Sequence, residues 1–72
     1  MELTGKEYYD LGFDYFDHAN YEKAVECFNK AIELNEPAGY NGLGFCYKLG
    51  NGVEKDPGLA YKWCMKSGLG VF

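Results

Sequence analysis

Few side chains in this sequence could do chemistry, and their spacing says more than their number. There is one histidine, His18, close to Asp14 and Asp17, and there are three cysteines, Cys27, Cys46 and Cys64. An imidazole beside two carboxylates, with no nucleophile in reach, lacks the constellation that general acid-base catalysis needs. His18 therefore reads as a surface imidazole at a turn. The cysteine spacings, 19 and 18 residues, match neither a zinc-ligand pattern nor a Cys-x-x-Cys redox motif. An odd set makes a disulfide framework a poor fit, and small buried hydrophobes in a reducing cytosol are the default reading. A thiol or metal site built from all three stays open as an alternative, because a fold can bring distant cysteines together.

Two glycine pairs, Gly42-x-Gly44 and Gly50-x-Gly52, look like fragments of nucleotide loops. Neither follows a strand pattern, and neither is completed by a third Gly or by Gly-Lys-Ser/Thr. Asp10, Asp14 and Asp17 fall at helical spacing and form one negative stripe, which is either a solvated face or a contact for a Lys-bearing partner. The expectation is an all-α protein with no catalytic residue, no cofactor and no resident metal.

What must position these residues is an internal repeat. Tyr8-x-x-Leu11-Gly12-x-x-Tyr15 recurs 32 residues on as Tyr40-x-x-Leu43-Gly44-x-x-Tyr47. Ala24-x-x-x-Phe28-x-Lys30-Ala31 recurs as Ala60-x-x-x-Cys64-x-Lys66-Ser67, now at an offset of 36. The four extra residues lie in the turn-forming stretch from Leu49 to Asp56. Each half-repeat reads as a helix. Thr4 and Glu7 form a capping box before the first, and Asn20 is the candidate cap of the second. Asn35-Glu36-Pro37 closes the second, with Pro37 suited to the first position of the third. The third ends at Gly50, Asp56-Pro57 starts the fourth, and Gly68 ends it. Gly12 and Gly44 mark close helix crossings, with Ala24 and Ala60 expected opposite them. Tyr8, Leu11, Tyr15, Tyr21, Phe28, Tyr40, Tyr47 and Trp63 are the expected core.

These residues carry a family resemblance. Residues 5–37 resemble a tetratricopeptide repeat through Tyr8, Leu11, Gly12, Tyr15, Ala24, Phe28 and Ala31, with Tyr8 in place of the usual Trp. Residues 38–70 resemble the related Sel-one-like repeat, most diagnostically through Gly50-x-Gly52-Val53-x-x-Asp56. The resemblance implies two antiparallel helix hairpins, four helices in all, stacked as a minimal α-α solenoid. The chain would be a single domain, with repeats at about 5–36 and 37–68 and a short tail at 69–72. It also implies a protein-binding scaffold whose first helices line a concave groove. Carried over position by position, the groove presents Lys6, Tyr9, Phe13, Phe16 and Asp17, then Asn41, Phe45, Lys48 and Leu49. Chaperone-binding relatives grip a carboxylate with polar or basic residues where this chain has Tyr9 and Phe13, so an apolar, aromatic mode of contact is implied instead. Where some Sel-one-like proteins clamp helices with a disulfide, this chain has Ile32 and Tyr40.

Composition narrows the class of partner. Thirteen aromatic residues make up 18% of the chain, and all seven basic side chains are Lys. The net charge of −4 argues against a nucleic-acid partner. No apolar run or leader pattern points to a membrane, so the expected setting is cytoplasmic. Residues 1–36 hold nine acids and three Lys (−6), and residues 37–72 hold two acids and four Lys (+2). Two repeats are fewer than such stacks usually need, so an apolar flank around Leu59, Trp63, Leu69 and Phe72 is expected to self-associate into a homodimer. The other expectation is a small adaptor or inhibitor that docks on a larger protein.

Overall fold

The computed structural model describes residues 3–67. They form α1 (Gly5–Asp17), α2 (Tyr21–Glu33), α3 (Ala38–Leu49) and α4 (Pro57–Ser67), with no strand among the described residues. α1 packs on α2 and α3 on α4, giving two hairpins. α2 and, more lightly, α1 pack on α3 and join them. This is the minimal α-α solenoid that the repeat predicts.

Local chemistry explains each boundary. The Thr4 hydroxyl accepts from the Glu7 backbone N–H at 3.2 Å, and the Glu7 carboxylate accepts from the Thr4 N–H at 2.8 Å. This is the expected capping box, and its backbone hydrogen bond holds the Glu7 carboxyl below its usual range. Asn20 does occupy the cap position of α2, but its side chain makes no capping bond. Its ψ of 71° lies well away from the extended backbone of Thr4, ψ 166°, which aims a side chain at the first turn. A backbone device closes that corner instead. Ala19 N–H donates to the Phe16 carbonyl and Asn20 N–H to the Tyr15 carbonyl, with Ala19 in the left-handed region at φ 59°. The same pattern ends α2, where Asn35 (φ 61°) donates to Ile32 and Glu36 to Ala31.

Pro37 sits at the cap of α3, one residue ahead of the first helical position expected for it. α3 stops at Gly50, φ 71°. The loop then folds back, with Asp56 N–H donating to the Tyr47 carbonyl and the Asp56 carboxylate accepting from Leu59 N–H at 3.1 Å. Gly52 combines φ 76° with a close approach, because a Cβ there would lie 2.8 Å from the Tyr21 carbonyl oxygen. The glycines of this loop are thus needed for backbone shape and for packing the loop on the first hairpin.

The core centres on Phe28, which is 0% exposed and clusters with Ala24, Leu43 and Cys46. Its ring fills the space left by Gly12 of α1 and by Gly42 of α3, where added Cβ atoms would approach to 2.6 and 2.5 Å. Gly12 therefore accommodates the Phe28 ring, and Gly42 is its counterpart across the junction of the two repeats. Of the expected core, only Phe28 is fully enclosed. Tyr8, Leu11, Tyr15, Tyr21, Tyr40, Tyr47 and Trp63 are half-buried. A two-hairpin stack has too little volume to surround that many large side chains, and the Tyr residues keep a polar end suited to water. The small residues Ala31, Ala60, Cys27, Cys46 and Cys64 complete the interior.

Candidate partner-binding site

Four of the predicted groove residues come together as one aromatic face. Phe13 is its hub, with ring centroids 5.0 Å from Tyr9, 6.1 Å from Phe16 and 6.1 Å from Phe45, all edge to face. Phe13 also meets Phe28 at 5.0 Å, so the face rests directly on the core. Tyr9, Phe13, Phe16 and Phe45 are each half-buried: one side packs inward and the other meets solvent. Lys6 and Asp17 are exposed on α1, and Lys48 and Leu49 are exposed on α3, Leu49 by 53%. Asn41 stands apart, because its carbonyl oxygen accepts from Cys64 Sγ at 3.5 Å and so turns toward α4. The resemblance placed it in the groove by position alone. What the face can do is bury an apolar or aromatic side chain against edge-to-face rings.

The second predicted surface lies on α4. Leu59 and Trp63 are half-buried there, while Leu69 and Phe72 lie outside the described residues, as does Gly68. Trp63 stacks on Tyr40 at 5.3 Å with the rings 16° from parallel, and Lys66 Nζ lies 5.4 Å from each ring centroid. This clamp ties α4 to α3 and explains why Trp63 is less available than a bare flank would be. Its indole N–H is buried and has no acceptor among the described residues. The apolar side chains that α4 does expose are Tyr61 (57%) and Met65 (54%). At the repeat offset of 36 they correspond to Val25 and Asn29.

Two surface hollows were not anticipated. One, of about 680 Å³, is lined by Tyr8, Ile32 and the α2 residues Glu26, Cys27, Asn29, Lys30 and Glu33. The other, about 160 Å³, is lined by Leu59, Lys62, Trp63 and Lys66. The same offset maps Glu26, Cys27 and Lys30 onto Lys62, Trp63 and Lys66. The two hollows thus share three repeat-equivalent positions, while Leu59 of the second has no counterpart in the lining of the first.

Of the chemically capable side chains, the three cysteines are packed into the interior and His18 lies at the surface. Cys27, Cys46 and Cys64 are buried at 8%, 0% and 1% exposure. Burial raises the Cys27 thiol and pushes that of Cys46 up to about 11, the opposite of an activated thiolate. Among the described residues no group of three or more His, Cys, Asp or Glu side chains is placed to hold a metal ion. His18 is exposed, and its Nδ1 bonds the Asp14 carbonyl oxygen at 2.8 Å. That bond, aided by the Asp14 carboxylate at 3.9 Å, raises its pKa. Among the described residues no helix is long and apolar enough to cross a membrane.

Stacked helix hairpins with glycine-cleared crossings, the second closed by a turn-rich loop, define an α-helical repeat protein. Residues 5–36 match the tetratricopeptide repeat and residues 37–67 match the Sel1 repeat, so the chain belongs to the tetratricopeptide and Sel1-like repeat proteins. These families are protein-protein interaction modules. Among curated proteins the chain is similar to the ERAD-associated E3 ubiquitin-protein ligase component HRD3B of Arabidopsis thaliana, at 40% identity over 55 residues. That match covers 69% of this chain and 9% of the relative. No solved structure matches the chain.

Proposed function

We propose that this chain is a non-enzymatic interaction module whose aromatic face binds a peptide or a partner helix. The observation that carries the reading is the contact of Phe13 with Phe45, which joins the first helices of both repeats into one half-exposed apolar surface. Lys6, Asp17, Lys48 and Leu49 form its rim, and Asn41 adds to it only by turning from Cys64. The partner is a protein or peptide rather than nucleic acid or membrane, given a net charge of −4 and no Arg. A cytoplasmic setting and a single domain over 1–72 belong to the same proposal, as does self-association into a homodimer through α4.

Selection of binding peptides from a displayed library, followed by titration calorimetry, tests the reading. Phe45→Ala and Phe13→Leu are expected to weaken binding at least about tenfold while the circular dichroism spectrum stays helical. Binding unchanged by both substitutions refutes the groove. A second reading, a small adaptor docking on a larger protein, draws support from the similarity to a segment of a ligase component.

A further inference from the structure

We propose that the acidic stripe of α1 in one copy docks on the Lys62/Lys66 face of α4 in a second copy, head to tail. The proposal rests on the self-association reading above and names the two surfaces that meet. Asp10 and Asp14 are exposed on the side of α1 opposite Gly5 and Gly12, and Asp17 continues the stripe one turn on. Lys62 and Lys66 are exposed on α4 and flank the hollow floored by Leu59 and Trp63.

Three observations select a second copy as the occupant. First, the charges are complementary in sign and spacing, since both pairs stand four residues apart and so about 6 Å along a helix axis. Second, neither Lys62 nor Lys66 forms an ion pair among the described residues, and α1 makes no contact with α4 within the chain. One molecule cannot bring its own two surfaces together. Third, the polarity extends to the whole chain, at −6 for residues 1–36 and +2 for residues 37–72. Leu11, half-buried beside Asp10 and Asp14, supplies an apolar side chain for the hollow while the carboxylates meet the ammonium groups. Such a contact is heterologous and leaves one acidic and one basic surface unused in each pair, so the dimer is expected to grow with concentration.

Sedimentation equilibrium of the whole chain at low and high salt tests this. Association is expected at micromolar to high-micromolar concentration, weakening at least about tenfold between about 20 mM and about 0.5 M salt. K62E/K66E and D10K/D14K are each expected to be monomeric and fully helical by circular dichroism. An equimolar mixture of the two is expected to associate, because each supplies the surface the other has lost. The neutral pair K62Q/K66Q gives the same loss without new repulsion. A wild-type chain that stays monomeric at low salt overturns the self-association reading itself. A wild-type chain that associates, but whose charge variants associate equally or fail to complement when mixed, overturns this docking alone.

Discussion

Gly42→Ala tests the packing argument most directly, because elementary helix propensity predicts the opposite sign. In an exposed helix interior, Gly→Ala stabilises by about 1 kcal/mol. At Gly42 the new methyl carbon would lie 2.5, 2.5 and 2.7 Å from three carbons of the Phe28 ring. Comfortable carbon separations are about 3.5–4.0 Å, so the shortfall is about 1 Å. The ring has nowhere to go. It is 0% exposed, and Gly12 on its other side leaves no more room, with an added Cβ at 2.6 Å. α3 must move away from α2, which opens the larger of the two helix contacts between the repeats. Overpacking of this kind costs about 1–3 kcal/mol, and the upper part of that range outweighs the propensity gain. A net loss of about 1–2 kcal/mol lowers the melting temperature by about 4–8 °C per kcal/mol in a domain of this size. Thermal and urea denaturation followed at 222 nm read it out. The double substitution G12A/G42A is expected to be non-additive, since both methyls press on one ring, and Phe28→Leu is expected to restore part of the loss. Gly58→Ala is the control: its Cβ would meet only the Asp56 carboxylate, at 3.5 Å, and stability is expected to rise. A G42A variant melting at or above the wild type would refute the account of Phe28 as a ring clamped between glycines.

Three further outcomes follow from local chemistry. Ala19 holds the left-handed position of the α1–α2 corner at φ 59°, so Ala19→Gly is expected to raise stability by about 0.5–1 kcal/mol; a lower melting temperature would contradict the strain. Cys46, with its thiol pushed up to about 11 and no exposure, is expected to label slowly with a thiol reagent at neutral pH and fully in urea. Rapid native labelling would restore the reactive-thiol alternative. Glu7 has a folded pKa below its ordinary value of 4.5, so its contribution is present above that value and is lost as pH falls through the folded pKa. Glu7→Gln, which removes the titrating carboxylate that accepts from the Thr4 backbone N–H, is expected to flatten that part of the stability profile between pH 5 and acid denaturation, and an unchanged acid limb would count against the capping-box carboxylate as its source.

The fold was legible because each of its determinants is local or repeated. The Thr4–Glu7 box, the Asp56 cap and the stop at Gly50 are chemistry between residues within a few positions of each other. The offsets of 32 and 36 expose the hairpins without any reference to packing. What the sequence hid were choices among equivalent neighbours. Gly42 and Gly44 are both glycines on α3, and only three-dimensional packing shows that Gly42 faces Phe28. Asn20 has the right side chain for a cap, but the backbone bond to Tyr15 turns it away from the extended geometry that capping uses. Of the residues the resemblance put in the groove, Tyr9, Phe13, Phe16 and Phe45 do lie ring against ring. Asn41 was drawn off by a thiol 23 residues away, and no spacing rule foresees such a bond.

Phe13 connects stability to binding. Its ring touches Phe28 in the core, Tyr9 and Phe16 on its own helix, and Phe45 across the repeat junction. A ligand that covers Phe13 and Phe45 together therefore bridges the two hairpins at the contact whose loss separates them. Such a ligand binds the stacked state and not the separated one. By mass action it stabilises the stack by about 2.7 kcal/mol at one hundred times its dissociation constant. For a chain of two repeats, with a single junction to lose, that increment acts on the whole cooperative unit rather than being diluted along a long array. A partner engaging only one repeat would leave the junction unsupported and raise the melting temperature less at equal saturation. The size of the ligand-induced thermal shift, compared between wild type and Phe45→Ala, thus distinguishes a partner that spans both repeats from one held by α1 alone.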